Sequence, residues 1–391
     1  MKLFLLSANY PPTRCGMADY AEKLYYYLKE ITKVKPYIIT TKLDEPGVKN
    51  DPHIYRIMVN WDANENQNFL ELMKKEIPDV IHIQYHEEDF PEINKVSELP
   101  FMIKQYFSKV KIVISLAGFD LDTSSGVLNV ERLVTYSDAI TVTTDLDLNL
   151  VLNKFPDVKN KLFKVYDRPN IIYDPKLRIN RKKFREKFNV SSDDFLLINF
   201  GFINQNKGFE HTFHSLRLVI DNGFSVKLLI IGELHDGKHS SLGKYFADLK
   251  NLSRELNLEN NVIWAGYVND TVVSSYILCA DASVMPFRDG ISGKRSSFWS
   301  VLEHGIPAIT TFPPDKCLPD GLKNGKNAIL VSIDDVETLA KGIIKLVKDN
   351  KFRCELGKNG QKLVRKRYSW EMLVKELEEI YRFGVAANPR P

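Results

Sequence analysis

The amino-acid sequence predicts an α/β protein built from two parallel-sheet domains. Short apolar runs alternate with amphipathic stretches from one end to the other, which is the pattern of parallel-sheet proteins. The chain has 391 residues, which is long for one domain and sufficient for two separate cores. A stretch with little periodicity, residues 166–184, contains Pro169 and Pro175 and separates two series of predicted strands. We therefore predict one domain over residues 1–168 and a second over residues 185–367.

Apolar runs bounded by turn residues define the predicted strands. In the first half they cover residues 2–8, 36–40, 80–83, 111–116 and 139–143. In the second half they cover residues 195–200, 226–231, 261–264, 282–285, 308–311 and 328–331. Amphipathic stretches at 18–28 and 68–75 are examples of the intervening helices, and a final helix is predicted over 370–383. The linker ends in a basic cluster that we expect to be solvated, formed by Arg178, Arg181, Lys182 and Lys183.

Composition excludes several classes of protein. The net charge of +4 is the small difference between 54 basic and 50 acidic side chains, which argues against bulk binding of nucleic acid. No apolar run reaches the length of a membrane span, so only peripheral membrane contact stays open. The short apolar start, residues 1–7, reads as a strand and not as a signal peptide. The four cysteines are scattered, which indicates reduced thiols: they are Cys15, Cys279, Cys317 and Cys354. We therefore expect a cytoplasmic protein, and a location at the inner face of a membrane stays open.

The most informative segment spans residues 286–311. A loop with two glycines, several cations and several hydroxyls precedes a helical stretch, and backbone N–H groups at such a helix start attract anions. Lys294 and Arg295 can add full charges to bind a phosphate, and Glu303 in the last turn can accept hydrogen bonds from a diol. Phosphate at one end and a diol at the other describe a nucleotide, although a solvated loop before an ordinary helix is the alternative. The nucleotide-binding candidates are Ser292, Lys294, Arg295, Ser296 and Glu303.

In each half, a loop follows the first strand, and ligands bind at such strand ends in open parallel sheets. In the first loop Gly16 permits close approach of the backbone, and Asp19 lies in the first turn of the next helix. A rigid turn with Asp19 stabilising the helix dipole is the alternative. In the second loop Gly201 precedes Lys207 and Gly208, and Lys207 could hold a diphosphate as a point charge. A solvated lysine is the alternative, although it would oppose the dipole of the following helix.

Three further strand ends carry weaker candidates. His86 ends a strand that also contains His82, but a spacing of four along an extended chain does not converge on one metal ion. His86 is therefore a candidate polar contact to a ligand. Asp120 lies in a small-residue turn that could bind a sugar or be an ordinary turn. Tyr267, after a glycine at another strand end, could meet the edge of a nucleobase or serve packing alone.

Taken together, these residues resemble the retaining glycosyltransferases of family four, which are nucleotide-sugar enzymes with the GT-B fold. The resemblance covers nearly the whole chain. Its motifs are Tyr10-Pro11-Pro12 with Gly16, Gly201 with Lys207-Gly208, the strand Cys279 to Pro286, Arg295-Ser296-Ser297, Glu303-His304-Gly305-Ile306-Pro307, and Tyr368-Ser369-Trp370. The fold implied has two Rossmann-like domains facing a cleft, an acceptor domain first and a nucleotide-sugar domain second. Residues 368–391 resemble the C-terminal helix that crosses back to the first domain.

The sequence departs from the family pattern at three positions. The common pattern has two Glu separated by seven residues, and counting back from Glu303 reaches Arg295, so the first Glu is absent. Phe202 stands where a phosphate-binding Arg is common, and we expect Arg295 or Lys294 to supply that cation. Ala117 stands where many members carry a His that contacts the sugar.

The resemblance implies transfer of a hexose from a nucleoside diphosphate sugar to an acceptor hydroxyl with retention of configuration, in the synthesis of a surface glycan or glycolipid. It implies Lys207 and Arg295 as catalytic clamps on the diphosphate. Asp19, His86 and Asp120 are the candidates for sugar or acceptor contacts. No metal or other cofactor is expected, and the partners are a nucleotide sugar and a glycan or lipid-linked acceptor. The competing interpretations are a weakly active or inactive GT-B binding or regulatory protein, which Arg295 and Ala117 favour, and a sugar-nucleotide epimerase, for which no carboxylate pair is evident.

Overall fold

A computed structural model describes residues 1–43, 51–62, 67–90, 93–232 and 240–384 of the chain. They form two compact units. The first unit comprises Met1–Tyr166 together with the chain from Trp370 onward, and the second comprises Asp167–Ser369. Residues 385–391, which we assigned to the segment of the final helix, lie outside the described residues.

The first unit contains a parallel sheet of seven strands. The strands are β1 (Lys2–Ser7), β2 (Lys35–Thr41), β3 (Ile54–Met58), β4 (Val80–His86), β5 (Lys111–Gly118), β6 (Ala139–Val142) and β7 (Leu162–Lys164). They lie in the order β3-β2-β1-β4-β5-β6-β7, and every pairing is parallel. The helices are α1 (Gly16–Ile31), α2 (Gln67–Glu76), α3 (Ile93–Tyr106), α4 (Ser124–Thr135), α5 (Asp145–Lys154) and α13 (Trp370–Phe383).

The two faces of this first sheet differ in polarity. One face carries the apolar core, to which β4 contributes Ile81 and Ile83. Alternate residues of a strand point to opposite faces, so His82 lies on the other face. There its Nδ1 is 2.7 Å from the hydroxyl of Tyr381 on α13. Helix α13 also stacks Trp370 on Tyr27 of α1, with ring centres 5.4 Å apart.

The second unit contains a parallel sheet of six strands. The strands are β8 (Phe195–Phe200), β9 (Val226–Ile231), β10 (Val262–Gly266), β11 (Ala282–Met285), β12 (Ala308–Thr311) and β13 (Ile329–Val331), in the order β10-β9-β8-β11-β12-β13. The helices are α6 (Arg181–Lys187), α7 (Phe209–Asp221), α8 (Ser240–Glu255), α9 (Asp270–Cys279), α10 (Ser296–Glu303), α11 (Val336–Lys348) and α12 (Asn350–Arg367). The buried residues of β8 and β9 pack against α7 and α11 to form the core.

The predicted fold class is confirmed, because both units are α/β structures around a parallel sheet. Each predicted strand is present, four of them with the predicted bounds. The sequence interpretation missed β3 and β7, short strands at the edges of the first sheet, because edge strands are partly exposed and need no apolar run. It also ended β4 too early at residue 83, because the later residues alternate between polar and apolar.

The four basic residues at the end of the predicted linker are exposed, as predicted, and three of them lie in the first turn of a helix. Helix α6 begins at Arg181, and Asn180 caps it by accepting a hydrogen bond from the N–H of Lys183 at 2.9 Å. Arg181 forms an ion pair with Asp281 at 2.5 Å. In the part of the chain that the structure describes, no helix is both long and apolar enough to cross a membrane.

Candidate functional site

Three glycines lie side by side at the carboxyl edge of the second sheet. Gly201, Gly232 and Gly266 stand at the ends of the adjacent strands β8, β9 and β10. Their φ angles are +125°, +137° and +69°, a region that favours glycine. The N–H of Gly232 donates to the carbonyl oxygen of Gly266 at 3.0 Å, and a Cβ on Gly232 would overlap the carbonyl of Gly201. The ends of these three strands are therefore in close backbone contact, with no side chains between them.

Lys207 is buried beneath this edge. Its ammonium donates to the carbonyl oxygen of Phe200 at 3.2 Å and to the hydroxyl of Ser297 at 3.1 Å. A Cβ on Gly201 would lie 2.6 Å from the Lys207 Nζ, so glycine leaves the space that the ammonium occupies. Burial, followed by the charge of Arg295, lowers the pKa of Lys207 to about 7. Neutral oxygens thus hold a cation that burial disfavours.

Arg295 is the second cation of this group. Its guanidinium forms an ion pair with the carboxylate of Asp289, and its Cζ lies 4.6 Å from the centre of the Phe287 ring. The Lys207 Nζ lies 5.1 Å from the centre of the same ring. The Arg295 Nε is buried and has no hydrogen-bond partner in the structure. Two like charges therefore share one aromatic ring, an arrangement that an anion would stabilise.

Helix α10 begins directly after Arg295 and is fixed in place by its buried side. The Trp299 indole donates to the Gly293 carbonyl at 3.2 Å and stacks on Tyr368, with ring centres 4.1 Å apart. The Ser300 hydroxyl accepts the N–H of Ile171 at 3.0 Å. These contacts hold the start of α10, where Arg295 occupies the N-cap position without a side-chain cap.

The far end of α10 is held by a neutral histidine. His304 lies 2.7 Å from the Ser300 carbonyl oxygen through Nδ1 and 2.7 Å from the Ser274 hydroxyl through Nε2. Because a carbonyl only accepts, Nδ1 carries the proton and Nε2 accepts from Ser274. Burial lowers the pKa of His304 to about 4. Glu303, the last residue of α10, is half-buried, and its carbonyl accepts the Gln361 side-chain N–H at 2.8 Å.

The remaining second-unit candidates lie around this group. Gly208 adopts φ +64° at the start of α7, where a Cβ would overlap the carbonyl oxygen of Pro286. The N–H of Lys294 lies 3.4 Å from the Ser292 hydroxyl, and Ser296 is the first residue of α10. Tyr267 follows β10 at the carboxyl edge and is 46% exposed.

In the first unit, the candidates lie at the carboxyl edge of β1, β4 and β5. Gly16 is exposed and begins α1, and a Cβ there would meet nothing within 4 Å. Asp19 lies in the first turn of α1. The ring of His86 lies against Gly118, where a Cβ would be 2.6 Å from its Nε2. Ala117 precedes Gly118, so the position at which many members of the resembled family carry a His has no imidazole in this chain.

Asp120 belongs to a capped turn that is also strongly acidic. Its carboxylate accepts the N–H of Asp122 at 2.7 Å and the hydroxyl of Thr123, and the Thr123 hydrogen bond chiefly lowers the pKa of Asp120. Glu87, directly after β4, faces this turn. Burial and then the charge of Asp120 raise the pKa of Glu87. The two neighbouring carboxyl groups therefore have pKa values shifted in opposite directions.

Several residues of these groups escaped the sequence interpretation. Phe287 and Asp289 lie in the segment 286–311, but nothing local in the sequence indicates their role, and Ser297 is identified only as part of a motif. Glu87 and Gln84 were missed because they lie where β4 was predicted to have ended. Among the described residues, no group of three or more His, Cys, Asp or Glu side chains is arranged to hold a metal ion.

Comparisons with known proteins agree with these observations. The model of the family "Glycosyl transferases group 1" matches residues 180–363, which lie within the second unit. The capsular polysaccharide biosynthesis glycosyltransferase CapM of Staphylococcus aureus is 25% identical over 278 residues, which cover 69% of each chain. The sucrose-phosphate synthase of Thermosynechococcus elongatus superposes with a TM-score of 0.72 and 16% identity, over 97% of this chain and 98% of the other. The Anabaena protein HepE in complex with UDP superposes with a TM-score of 0.71 and 13% identity, over 98% of this chain and 100% of the other.

The matches and the fold lead to one conclusion. The second unit carries the family match, and the fold resembles that of the sucrose-phosphate synthase over 97% of this chain. The chain has the GT-B fold and is a glycosyltransferase, and residues 180–363 of its second unit match the group 1 glycosyl transferases.

Proposed function

We propose that this glycosyltransferase moves a hexose from a nucleoside diphosphate sugar to an acceptor hydroxyl with retention of configuration. The observation that carries the proposal is the pair of cations on Phe287. The Lys207 ammonium has three N–H groups, and two have acceptors among the described residues. We assign the third N–H and the buried, unpartnered Arg295 Nε to oxygens of a diphosphate.

The rest of the donor is assigned to groups at the same edge. A nucleotide with its diphosphate near Lys207 would place its ribose toward the carboxyl end of α10, where Glu303 can accept two hydroxyl hydrogen bonds. Tyr267 and the backbone after β10 are candidates for the base. Gly16, Asp19, His86 and Asp120 in the first unit are candidates for the transferred sugar and the acceptor.

The chemical task is to stabilise a departing diphosphate while the sugar becomes oxocarbenium-like. Fixed cations and N–H donors aimed at the diphosphate lower that barrier because they need no reorganisation during the reaction. Lys207 and Arg295 fit this role, so we propose that the reaction needs no metal. UDP is the first donor nucleotide to test because HepE was determined with UDP. Polysaccharide synthesis is the proposed setting because CapM acts in capsular polysaccharide biosynthesis.

The test combines a donor panel with two apolar replacements. Wild-type protein is incubated with UDP-, GDP- and ADP-sugars, and release of nucleoside diphosphate identifies the donor. Lys207→Met and Arg295→Met are then each expected to lower that release by more than about tenfold, the scale of one charge-assisted contact. Lys358→Met removes an exposed charge on α12 and serves as the matched control. Near-normal release by both variants would contradict the diphosphate assignment.

A further inference from the structure

The carboxyl edge of the first sheet carries several acidic groups. Glu87 directly follows β4, and Asp89 lies two residues further along. Asp120 and Asp122 follow β5, which is adjacent to β4 in the sheet. We call these four residues the acidic edge. Because β4 and β5 are parallel neighbours, the four carboxylates are brought to one end of the sheet.

Hydrogen bonds keep the centre of the acidic edge charged. The Asp120 carboxylate accepts the hydroxyl of Thr123 and the N–H of Asp122, and these bonds favour its ionised form. Asp89 accepts the side-chain N–H of Asn9 at 2.8 Å. Two basic residues lie at the loop after β1. Arg14 belongs to that loop and is exposed, and the guanidinium of Arg56, on β3, donates to the Pro11 carbonyl and lies over the Tyr10 ring at 5.7 Å.

A buried amide beside the acidic edge has no partner. Gln84 is 2% exposed, and neither its Oε1 nor its Nε2 has a hydrogen-bond partner. It lies on the same face of β4 as His86, between Ser7 and Ser115 of the neighbouring strands. The buried Nδ1 of His86 likewise lacks a hydrogen bond, with the Asp89 carboxylate 4.0 Å away. Buried polar atoms without partners are rare, so these point to a ligand.

The unpartnered atoms specify the chemistry of that ligand. Gln84 offers one acceptor oxygen and two donor hydrogens, and the carboxylates offer only acceptors. A hydroxyl group both donates and accepts, so it can satisfy Gln84 and the carboxylates together. A phosphate or carboxylate only accepts, and it would lie beside several like charges.

We propose that the acceptor bound at the acidic edge is an uncharged, hydroxyl-rich group and that acceptors bearing a phosphate or carboxylate there are rejected. This inference rests on the proposed function, because it assigns the acceptor to the first unit. It adds the charge of the acceptor to that function.

The first experiment measures the local potential and does not need the acceptor. Cys317 and Cys354 are the exposed natural thiols, so both are replaced by Ser and Ser125→Cys places a thiol in the first turn of α4 beside Asp120. The rates of modification by a cationic and an anionic methanethiosulfonate are measured, and their ratio cancels the intrinsic reactivity of the thiol. The reference is the natural Cys354 in a Cys317→Ser protein.

We expect the cation-to-anion ratio at position 125 to exceed that at Cys354 by about tenfold or more at low salt. Adding Glu87→Gln and Asp120→Asn should bring it toward the reference value. A ratio at position 125 equal to that at Cys354 would overturn the proposal.

The second experiment compares acceptors that differ only in charge. Octyl β-glucoside is paired with octyl β-glucuronide, and the galacto pair is treated in the same way, with the donor found above. The neutral member should be used at least about tenfold better, and Glu87→Gln/Asp120→Asn should narrow the difference. Equal or better use of an acidic member would overturn the proposal. If neither member of a pair is used as an acceptor, the cation-to-anion modification ratio of the first experiment tests the proposal. Loss of nucleotide-sugar binding would refute the proposed function without changing the thiol ratio.

Discussion

The carboxyl edges of the two sheets share a topology and differ in charge. In the second unit, Lys207 and Arg295 lie against one aromatic ring beside closely packed glycines. In the first unit, carboxylates surround a turn at Asp120, and the amide of Gln84 has no partner. The parallel sheet therefore supplies only the location of a ligand, at the strand ends. The side chains in the loops determine which part of the substrate each edge can hold.

The largest expected difference between the two edges is the effect of replacing a glycine on the free energy of unfolding. Gly208 has φ +64°, and a Cβ there would overlap the Pro286 carbonyl, whereas a Cβ on Gly16 would meet nothing within 4 Å. Gly208→Ala should lower the free energy of unfolding of the second unit by about 2–5 kcal/mol, from backbone strain and overpacking. Gly16→Ala should leave stability unchanged or raise it by up to about 1 kcal/mol. Urea unfolding followed by circular dichroism measures both changes.

The same pair also separates packing from ligand contact. If Gly16→Ala keeps its stability but loses transfer activity, the loop backbone approaches the substrate. Equal stability of Gly208→Ala and the wild type would show that the second edge is not closely packed.

The lowered pKa of Lys207 gives the next largest expected effect, on the affinity for the donor. Burial and Arg295 lower the pKa of Lys207 to about 7 in the free protein. A bound diphosphate favours the ammonium form, so binding above pH 7 must take up a proton. The affinity for a nucleotide sugar should therefore fall by more than about tenfold between pH 7 and pH 9. Calorimetry in buffers of different ionisation enthalpy measures the affinity and the proton uptake.

The control for this prediction is Lys207→Met, whose weaker binding should lose most of its dependence on pH. A flat affinity profile in the wild type would show that Lys207 does not meet the diphosphate. In the free protein, the lowered pKa means that the folded chain binds fewer protons than the unfolded chain above about pH 7. This lysine therefore makes stability increase with pH from there to its usual titration range.

Much of the fold could be predicted from apolar periodicity. Strands such as β8 and β11 are buried on both faces, so they read as mainly apolar runs with clear ends. The strand β4 could not be bounded in this way, because His82, Gln84 and His86 alternate with apolar residues. Those polar residues occupy the face that α13 covers in part, and nothing local in the sequence indicates which helix covers a strand.

The candidate site could be predicted by position more readily than by environment. The loops of Gly201 and Arg295 were recognisable because glycines, cations and hydroxyls follow apolar strands. That Lys207 is buried against Phe287 depends on β8 and β11 being neighbours, which is a tertiary fact. The encounter of Glu87 with Asp120 likewise depends on the pairing of β4 with β5. These pairwise interactions could therefore be predicted only with the order of the strands in each sheet, which the sequence does not state.

The smallest expected effect concerns Glu303, a carboxylate at the carboxyl end of α10, the helix that begins after Arg295. Unlike the carboxylates of the acidic edge, it should bind part of the donor, the ribose diol. Glu303→Gln keeps the shape but removes the charge and one acceptor oxygen, so the affinity for the donor nucleotide should fall by about three- to tenfold. The affinity for its 2′,3′-dideoxy analogue should hardly change, because that analogue has no diol to donate. Calorimetric titration of both nucleotides, with the exposed Glu355→Gln on α12 as the matched control, distinguishes ribose recognition from a general loss of binding. Equal weakening for both nucleotides would assign Glu303 to the structure of α10 and leave Lys207 and Arg295 as the donor-binding residues of the second unit.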